Sequence, residues 1–305
     1  MNLLNAIGNT PLISVNFDAN NSATNLYAKL EYLNPGGSIK DRTDLYMIEE
    51  AEKKDILKPG GTLIDASSGN HGISLAMIGA VKGYKVIITT TAKCSLEKLN
   101  TMKAYGAEVI VCAPTKFIDD PENYHAIAVK LHKNTPNSFM PNQYFDPLNA
   151  EGVYHTLAPE IWNQTHGRIT HFFAGAGTGG TISGVGKYLK EKNPDIKILA
   201  IDSDVSFRAT KGNPKPYKIE GIGIDWDNNA VLDYSIVDEF LEVSDDNAFA
   251  MLKTLARRNG ILVGPSSGAV AYAASQYASK LDKDAVAVMI FGDSGRAYLT
   301  KGFYD

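Results

Sequence analysis

The chain has 305 residues, enough for one large core or two ordinary ones, and domains of about 100–200 residues make two the better expectation. Apolar residues make up 44% and charged residues 21%, with no low-complexity run, which excludes an extensively disordered chain. A net charge of -4 with both signs interspersed leaves no electrostatic footprint for nucleic acid or an anionic membrane, so a small-molecule partner is favoured.

Met1 to Ile7 lack the basic region and apolar run of a signal peptide, and no segment reaches the roughly 18 apolar residues of a membrane span. The sequence therefore reads as cytoplasmic. A glycine-rich turn from Asn34 to Arg42 contains Lys40. A strand-like run from Thr62 to Asp65 leads into the turn Ser67-Ser68-Gly69-Asn70-His71-Gly72, after which Ile73, Ala76, Met77 and Ala80 line one face of a helix. Val86 to Ile88 and Val109 to Val111 read as strands. Between them Ser95 caps a helix carrying Leu96, Leu99 and Met102 at similar spacing. A polar, Pro-rich stretch from Asn134 to Asp146 is the nearest thing to a boundary. Strand runs resume at Ile169 to Ala174, Ile198 to Ile201 and Val286 to Phe291, and a helical segment spans Ile182 to Lys192. Continuous apolar strands alternating with helices predict an α/β fold with parallel sheets covered on both faces. Cys94 and Cys112 read as buried thiols, and the six histidines form no metal-ligand pattern, so no metal is expected.

Two turns carry the chemistry. Gly175-Ala176-Gly177-Thr178-Gly179-Gly180-Thr181 follows a strand and opens a helix, so its amides suit a phosphate at a helix N-terminus. The same residues satisfy G-x-G-x-x-G, with Asp202 about 20 residues beyond Gly180, which keeps a nicotinamide-dependent dehydrogenase as a rival reading. Thr178 and Thr181 add hydroxyl donors that suit a phosphate monoester better than a pyrophosphate. The second turn, Ser67 to Gly72, offers successive amides and hydroxyls that suit a carboxylate, although a plain N-cap with a glycine turn explains that segment equally well in isolation.

With these residues in place the chain resembles the cysteine synthase and cystathionine β-synthase family of fold-type II pyridoxal-phosphate enzymes. Eight ordered blocks carry the resemblance: Gly8 to Leu12, Asn34 to Arg42, Ser67 to Gly72, Gln143-Tyr144, Gly177 to Thr181, Glu220 to Gly223, Gly264 to Ala269, and Asp293 to Lys301. It implies a tryptophan synthase β-like fold of two three-layer αβα domains with mostly parallel sheets. Residues 1–40 plus 146–305 would form a large cofactor-binding domain and residues 41–145 a small mobile substrate-binding domain. The resemblance also implies that pyridoxal 5'-phosphate forms a Schiff base with Lys40. Gly177, Thr178, Gly179, Gly180 and Thr181 would hold its phosphate, Asn70 its phenolic oxygen and Ser266 its pyridine nitrogen. Ser67, Ser68, Gly69, His71 and Gln143 would meet the substrate carboxylate. A serine at the pyridine nitrogen gives only a neutral hydrogen bond, a weaker electron sink than an aspartate partner would give. That favours β-replacement or β-elimination on serine, cysteine or an O-activated serine through an aminoacrylate, with sulfide or a thiol as nucleophile, in a homodimer.

Three departures keep the substrate open. His71 stands where the family usually has threonine and resembles the serine racemase and threonine dehydratase branch. Val153-Tyr154-His155 is closer to synthases of 2,3-diaminopropionate precursors, which use an amino acid amine as nucleophile. Asp225 suggests a base acting on the incoming nucleophile, but Ile224 replaces the tyrosine usual beside it. Gly292-Asp293-Ser294-Gly295 spells a serine-protease signature without a triad order around it, and is discounted. A catalytically idle scaffold is the remaining reading from another class.

Overall fold

In a computed structural model, residues 1–17, 25–115, 120–224 and 230–305 are described. In chain order the strands are β1 (Leu12–Ser14), β2 (Asn25–Leu30), β3 (Thr62–Ala66), β4 (Lys85–Thr91), β5 (Glu108–Cys112), β6 (Ser138–Phe139), β7 (His171–Gly175), β8 (Lys197–Ser203), β9 (Glu239–Val243) and β10 (Val286–Phe291). The helices are α1 (Lys40–Lys53), α2 (Asn70–Lys82), α3 (Leu96–Ala104), α4 (Tyr124–Asn134), α5 (Leu148–His155), α6 (Leu157–Gln164), α7 (Gly180–Lys192), α8 (Asp245–Asn259) and α9 (Pro265–Tyr277). They form two compact units: Met1–Ile7 with Asn34–Gln143, and Gly8–Leu33 with Tyr144–Asp305.

In the first unit the strands run in the order β5-β4-β3-β6, all parallel among the described residues. Every residue of β3 (Thr-Leu-Ile-Asp-Ala) is buried, as a strand covered on both faces requires. β5 lies at the edge, and its Val111 is exposed. α2 packs deeply, with Ile73, Leu75, Ala76, Met77 and Ile78 buried, so its buried surface is wider than one face. Gly83 closes it in a left-handed conformation at φ 78°.

The second unit has the order β1-β2-β10-β7-β8-β9, parallel except for β1 against β2. β10, Val-Ala-Val-Met-Ile-Phe, is buried throughout and joins the core that includes Phe173, Leu199, Ile201, Leu252, Val270 and Met289. α8 shows how locally consistent the chain is. Ser244 caps it, Asp245 and Asp246 occupy its first turn, Arg257 and Arg258 its last, and Gly260 ends it at φ 68°. In both units a glycine-rich turn follows the carboxyl end of a parallel strand, β3 or β7, and opens a helix, the place where open α/β sheets receive ligands.

Candidate active site

Lys40 is the first residue of α1, and the turn before it is built by short-range bonds. Gly37 takes φ 86° and donates its amide to Asn34 O at 2.8 Å. The buried Asp41 folds back to accept from Gly36 N at 2.6 Å, so tightly that a Cβ at Gly36 would collide with its carboxylate. Ser38 Oγ accepts the Lys40 amide at 3.2 Å. The Gly-Gly-Ser-x-Lys-Asp pattern thus aims one part-buried lysine, whose Nζ makes no hydrogen bond among the described residues. Burial pulls the Lys40 ammonium below the ordinary lysine range, and the carboxylate of Asp44, one turn along, pulls it only partway back.

The Ser67–Gly72 turn lies in the same unit. Ser67 Oγ accepts from Gly69 N at 3.2 Å and from Gly72 N at 3.0 Å, and so caps α2 from outside the helix. The amides of Asn70 and His71 belong to the first helical turn, where the helix supplies no acceptor. Ser68 is exposed, Gly69 and Asn70 are part-buried, and Gln143 is buried at the end of the unit. His71 is different: its ring is 1% exposed, with Nδ1 2.8 Å from Asp44 Oδ1 and Nε2 2.8 Å from Asp65 Oδ2. Burial alone would lower its pKa, but the two carboxylates overcome that and raise it from 6.5 to about 9. Only the His71 backbone therefore remains for an anion at this turn.

Sequence reasoning missed Lys98 here. Its ammonium is buried, and a Cβ placed on Gly69 would lie 3.4 Å from its Nζ, so a cation backs the turn. α3 is capped by Ser95 as expected, but the buried face runs through Lys98 and Met102, while Leu96 is 64% exposed. The spacing of four between Lys98 and Met102 was the available signal, hidden because a lysine scores as a surface residue.

In the second unit the Gly175–Thr181 turn is shaped by close approaches of backbone. A Cβ on Gly177 would sit 2.8 Å from Gly221 O, one on Gly180 would collide with the Asn149 amide, and Gly179, at φ 86°, lies against the Leu232 backbone. Thr178 Oγ1 accepts from Gly180 N at 3.3 Å and from Asn149 Nδ2 at 3.1 Å. The Thr181 and Ile182 amides stand in the first turn of α7, beyond the helical ladder. Ser266 is the second residue of α9, behind the N-terminal Pro265. Its Oγ makes no hydrogen bond among the described residues and faces Gly221, where a Cβ would come within 3.3 Å.

Other singled-out residues have different duties. Asp202 is fully buried, and both oxygens are occupied: Oδ1 by Ser203 N at 2.8 Å and Ile224 N at 3.1 Å, Oδ2 by Ser206 Oγ and Arg208 Nε at 2.7 Å each. It has nothing left for a ribose, which removes the basis of the dinucleotide reading. Val153 is buried against Gly184, and Tyr154 bonds Glu191 at 2.6 Å and packs edge-on against Tyr188, so both belong to α5–α7 packing. Ser294 caps the last 3₁₀ segment by accepting from Arg296 N. Asp225 lies outside the described residues. Cys94 and Cys112 are buried free thiols. Among the described residues no cluster of three or more His, Cys, Asp or Glu is placed to hold a metal, and no helix is long and apolar enough to cross a membrane.

The family model described as "Pyridoxal-phosphate dependent enzyme" matches residues 3–293. A cystathionine beta-synthase of Apis mellifera is 43% identical over 305 residues, covering 98% of this chain and 60% of its own length. The chain thus spans well under two thirds of that relative. A cysteine synthase of Staphylococcus aureus is 39% identical, with 99% of this chain and 96% of the relative covered. The crystal structure of an O-acetylserine dependent cystathionine beta-synthase from Helicobacter pylori superposes with a TM-score of 0.91 at 37% identity, covering 99% and 98% of the two chains.

Proposed function

Because this chain belongs to the family of pyridoxal-phosphate dependent enzymes, we propose that it catalyses β-replacement, or β-elimination, on serine, cysteine or an O-activated serine, with sulfide or a thiol as the incoming nucleophile. The observation that carries the reading is Lys40: a desolvated amine without a hydrogen-bond partner among the described residues, fixed at a helix start by a turn braced through Asp41. An amine held below its ordinary pKa attacks an aldehyde and later accepts a proton more readily than a solvated ammonium does.

The residues present fit the cofactor. The unspent amides of Thr181 and Ile182, with the Thr178 and Thr181 hydroxyls, suit a phosphate monoester. A side chain on Gly177 or Gly180 would fill space that the turn keeps bare. Ser266 offers an uncommitted hydroxyl of the kind that bonds a neutral ring nitrogen. We assign the phosphate to Gly177, Thr178, Gly179, Gly180 and Thr181, the ring nitrogen to Ser266, the phenolic oxygen to Asn70 and the aldehyde to Lys40. When bound, the cofactor supplies an electron sink for the α-carbon. Ser67 holds the Gly69 and Gly72 amides and so shapes a carboxylate nest at Gly69 from the amides of Ser68, Asn70 and His71, and Lys98 adds positive potential behind it. Gln143 would complete the contact. Asp225 is assigned to the incoming nucleophile's proton. The family resemblance further suggests a cytoplasmic homodimer, with residues 41–145 moving as a substrate domain.

The 2,3-diaminopropionate alternative rested on Val153-Tyr154-His155, and the engagement of Val153 and Tyr154 in helix packing, with His155 edge-on to Tyr154, lends it no support. The test is to mix the protein with serine, cysteine, O-acetylserine and O-phosphoserine separately and follow the visible spectrum. Sulfide, homocysteine and glutamate are then offered and the products identified by mass. A donor-dependent spectral change followed by a thioether or cysteine product is expected. No spectral change with any donor would refute β-chemistry, and product only with glutamate would favour the amine-using synthase.

A further inference from the structure

His71 lends the Ser67–Gly72 nest only its backbone amide, because both ring nitrogens are committed to carboxylates, and this leaves its side chain without a task in the proposed site. Its ring sits between two carboxylates that come from different elements, Asp44 on α1 and Asp65 on β3, each at 2.8 Å. Asp44 lies four residues after Lys40, on the same face of α1. Asp65 Oδ2 also accepts the amide of Asn142 at 2.7 Å. Asn142 holds φ 51°, a left-handed backbone that asparagine accepts more readily than most residues, and the Asp65 bond fixes its amide there. Gln143 follows it directly. One imidazole therefore connects the helix that begins at Lys40, the helix turn that carries Asn70, and the left-handed turn that delivers Gln143, all within the same compact unit. Apolar side chains would join α1 to α2 without desolvating three ionisable groups, whereas directional bonds fix register, which packing alone leaves looser.

We propose that the His71 side chain is a positioning group that itself touches no substrate: through Asp44 and Asp65 it sets the mutual register of the segments carrying Lys40, Asn70 and Gln143. The inference rests on the roles proposed above for those three residues, and it specifies what the histidine adds where a threonine is usual. It predicts that loss of the ring loosens the Asn142–Gln143 turn first and substrate binding with it, while cofactor retention and the chemical step suffer less.

The test uses the full-length enzyme carrying His71→Gln, and the double variant Asp44→Asn/His71→Gln, which removes one buried negative charge with the positive one and so keeps the single change from failing merely by charge imbalance. Amide exchange at Asn142 is measured without substrate and compared with Ile88, a buried residue of β4 in the same unit. Both variants are expected to exchange at Asn142 at least tenfold faster than the parent, with Ile88 in the double variant within twofold of it. KM for the amino acid donor should rise at least tenfold with kcat within threefold, in protein that stays yellow. Asn142 exchange and KM within twofold of the parent in either folded variant would overturn the proposal, as would equal acceleration at Asn142 and Ile88, which marks a purely structural role. If the parent protein showed no turnover with any donor, the proposed reaction would fail, yet the exchange comparison would still decide the role of His71.

Discussion

In the Ser67–Gly72 turn the backbone is held by side chains: Ser67 Oγ grips two amides, the His71 ring is locked between Asp44 and Asp65, and the Lys98 ammonium lies behind Gly69. In the Gly175–Thr181 turn it is held by the absence of side chains, with Gly177 against the Gly221 carbonyl and Gly179 against the Leu232 backbone. The two segments share one local logic, a strand end followed by small residues and a helix N-terminus, and offer amides to an anion in the same way. They differ in what fixes those amides. The first depends on charge and therefore on pH. The second depends on shape and therefore on volume. This suits a permanently held phosphate in the second turn and an arriving and departing carboxylate in the first.

The largest expected effect lies outside both turns and tests what they serve. Lys40→Ala should abolish visible absorbance from the lysine-linked cofactor and cut turnover by about 10³-fold or more, as loss of both nucleophile and base demands. Absorbance and steady-state assays check it, and a Lys40→Ala variant that keeps colour and turnover would exclude Lys40.

The next prediction separates the turns by pH. His71 has a folded-state pKa of about 9, above its ordinary 6.5, so it adds stability that is fully present below about pH 6.5 and is lost as pH rises through 9. The shift corresponds to about 3 kcal/mol. Urea unfolding of the apoprotein at pH 6 and pH 9.5 should show a loss of that order in the parent and little of it in His71→Gln. Equal slopes in the two proteins would remove His71 as the cause.

Volume is the corresponding lever on the other turn. Gly179→Ala forces a side chain into φ 86° against Leu232, at a cost of about 1–3 kcal/mol, and should weaken pyridoxal-phosphate binding by roughly tenfold or more. Equilibrium dialysis reads this directly, and the loss should not vary between pH 6 and 9. The smallest effect is expected for Ser67→Ala, which removes the acceptor of the Gly69 and Gly72 amides. About 1 kcal/mol of stability and a few-fold rise in donor KM should follow, measurable by thermal unfolding and initial rates.

Much of this was legible from the chain itself. The strand runs at Val86, Val109, Ile198 and Val286 lie in β4, β5, β8 and β10, because β-branched stretches suit a pleated sheet surface even where, as in β5, the strand is only partly covered. The two turns were readable because glycine spacing is a local property. What could not be read was assembled over distance. Asp44 and Asp65 stand 27 and 6 residues before His71, and only the packing of α1 on α2 and β3 turns three ordinary polar residues into one buried cluster. The burial of Lys98 in place of Leu96 was equally hidden, since helical periodicity favours the apolar residue. Asp202 misled in the opposite direction: its spacing matched a ribose ligand, and its four bonds within the fold are invisible to spacing.

The central claim is that Lys40 carries the cofactor, and borohydride reduction of the yellow protein followed by peptide mass mapping tests it most directly. A single phosphopyridoxyl group on the peptide containing Lys40 is the expected result. Attachment at Lys98 or another lysine, or no attachment in protein supplied with pyridoxal phosphate, would contradict it.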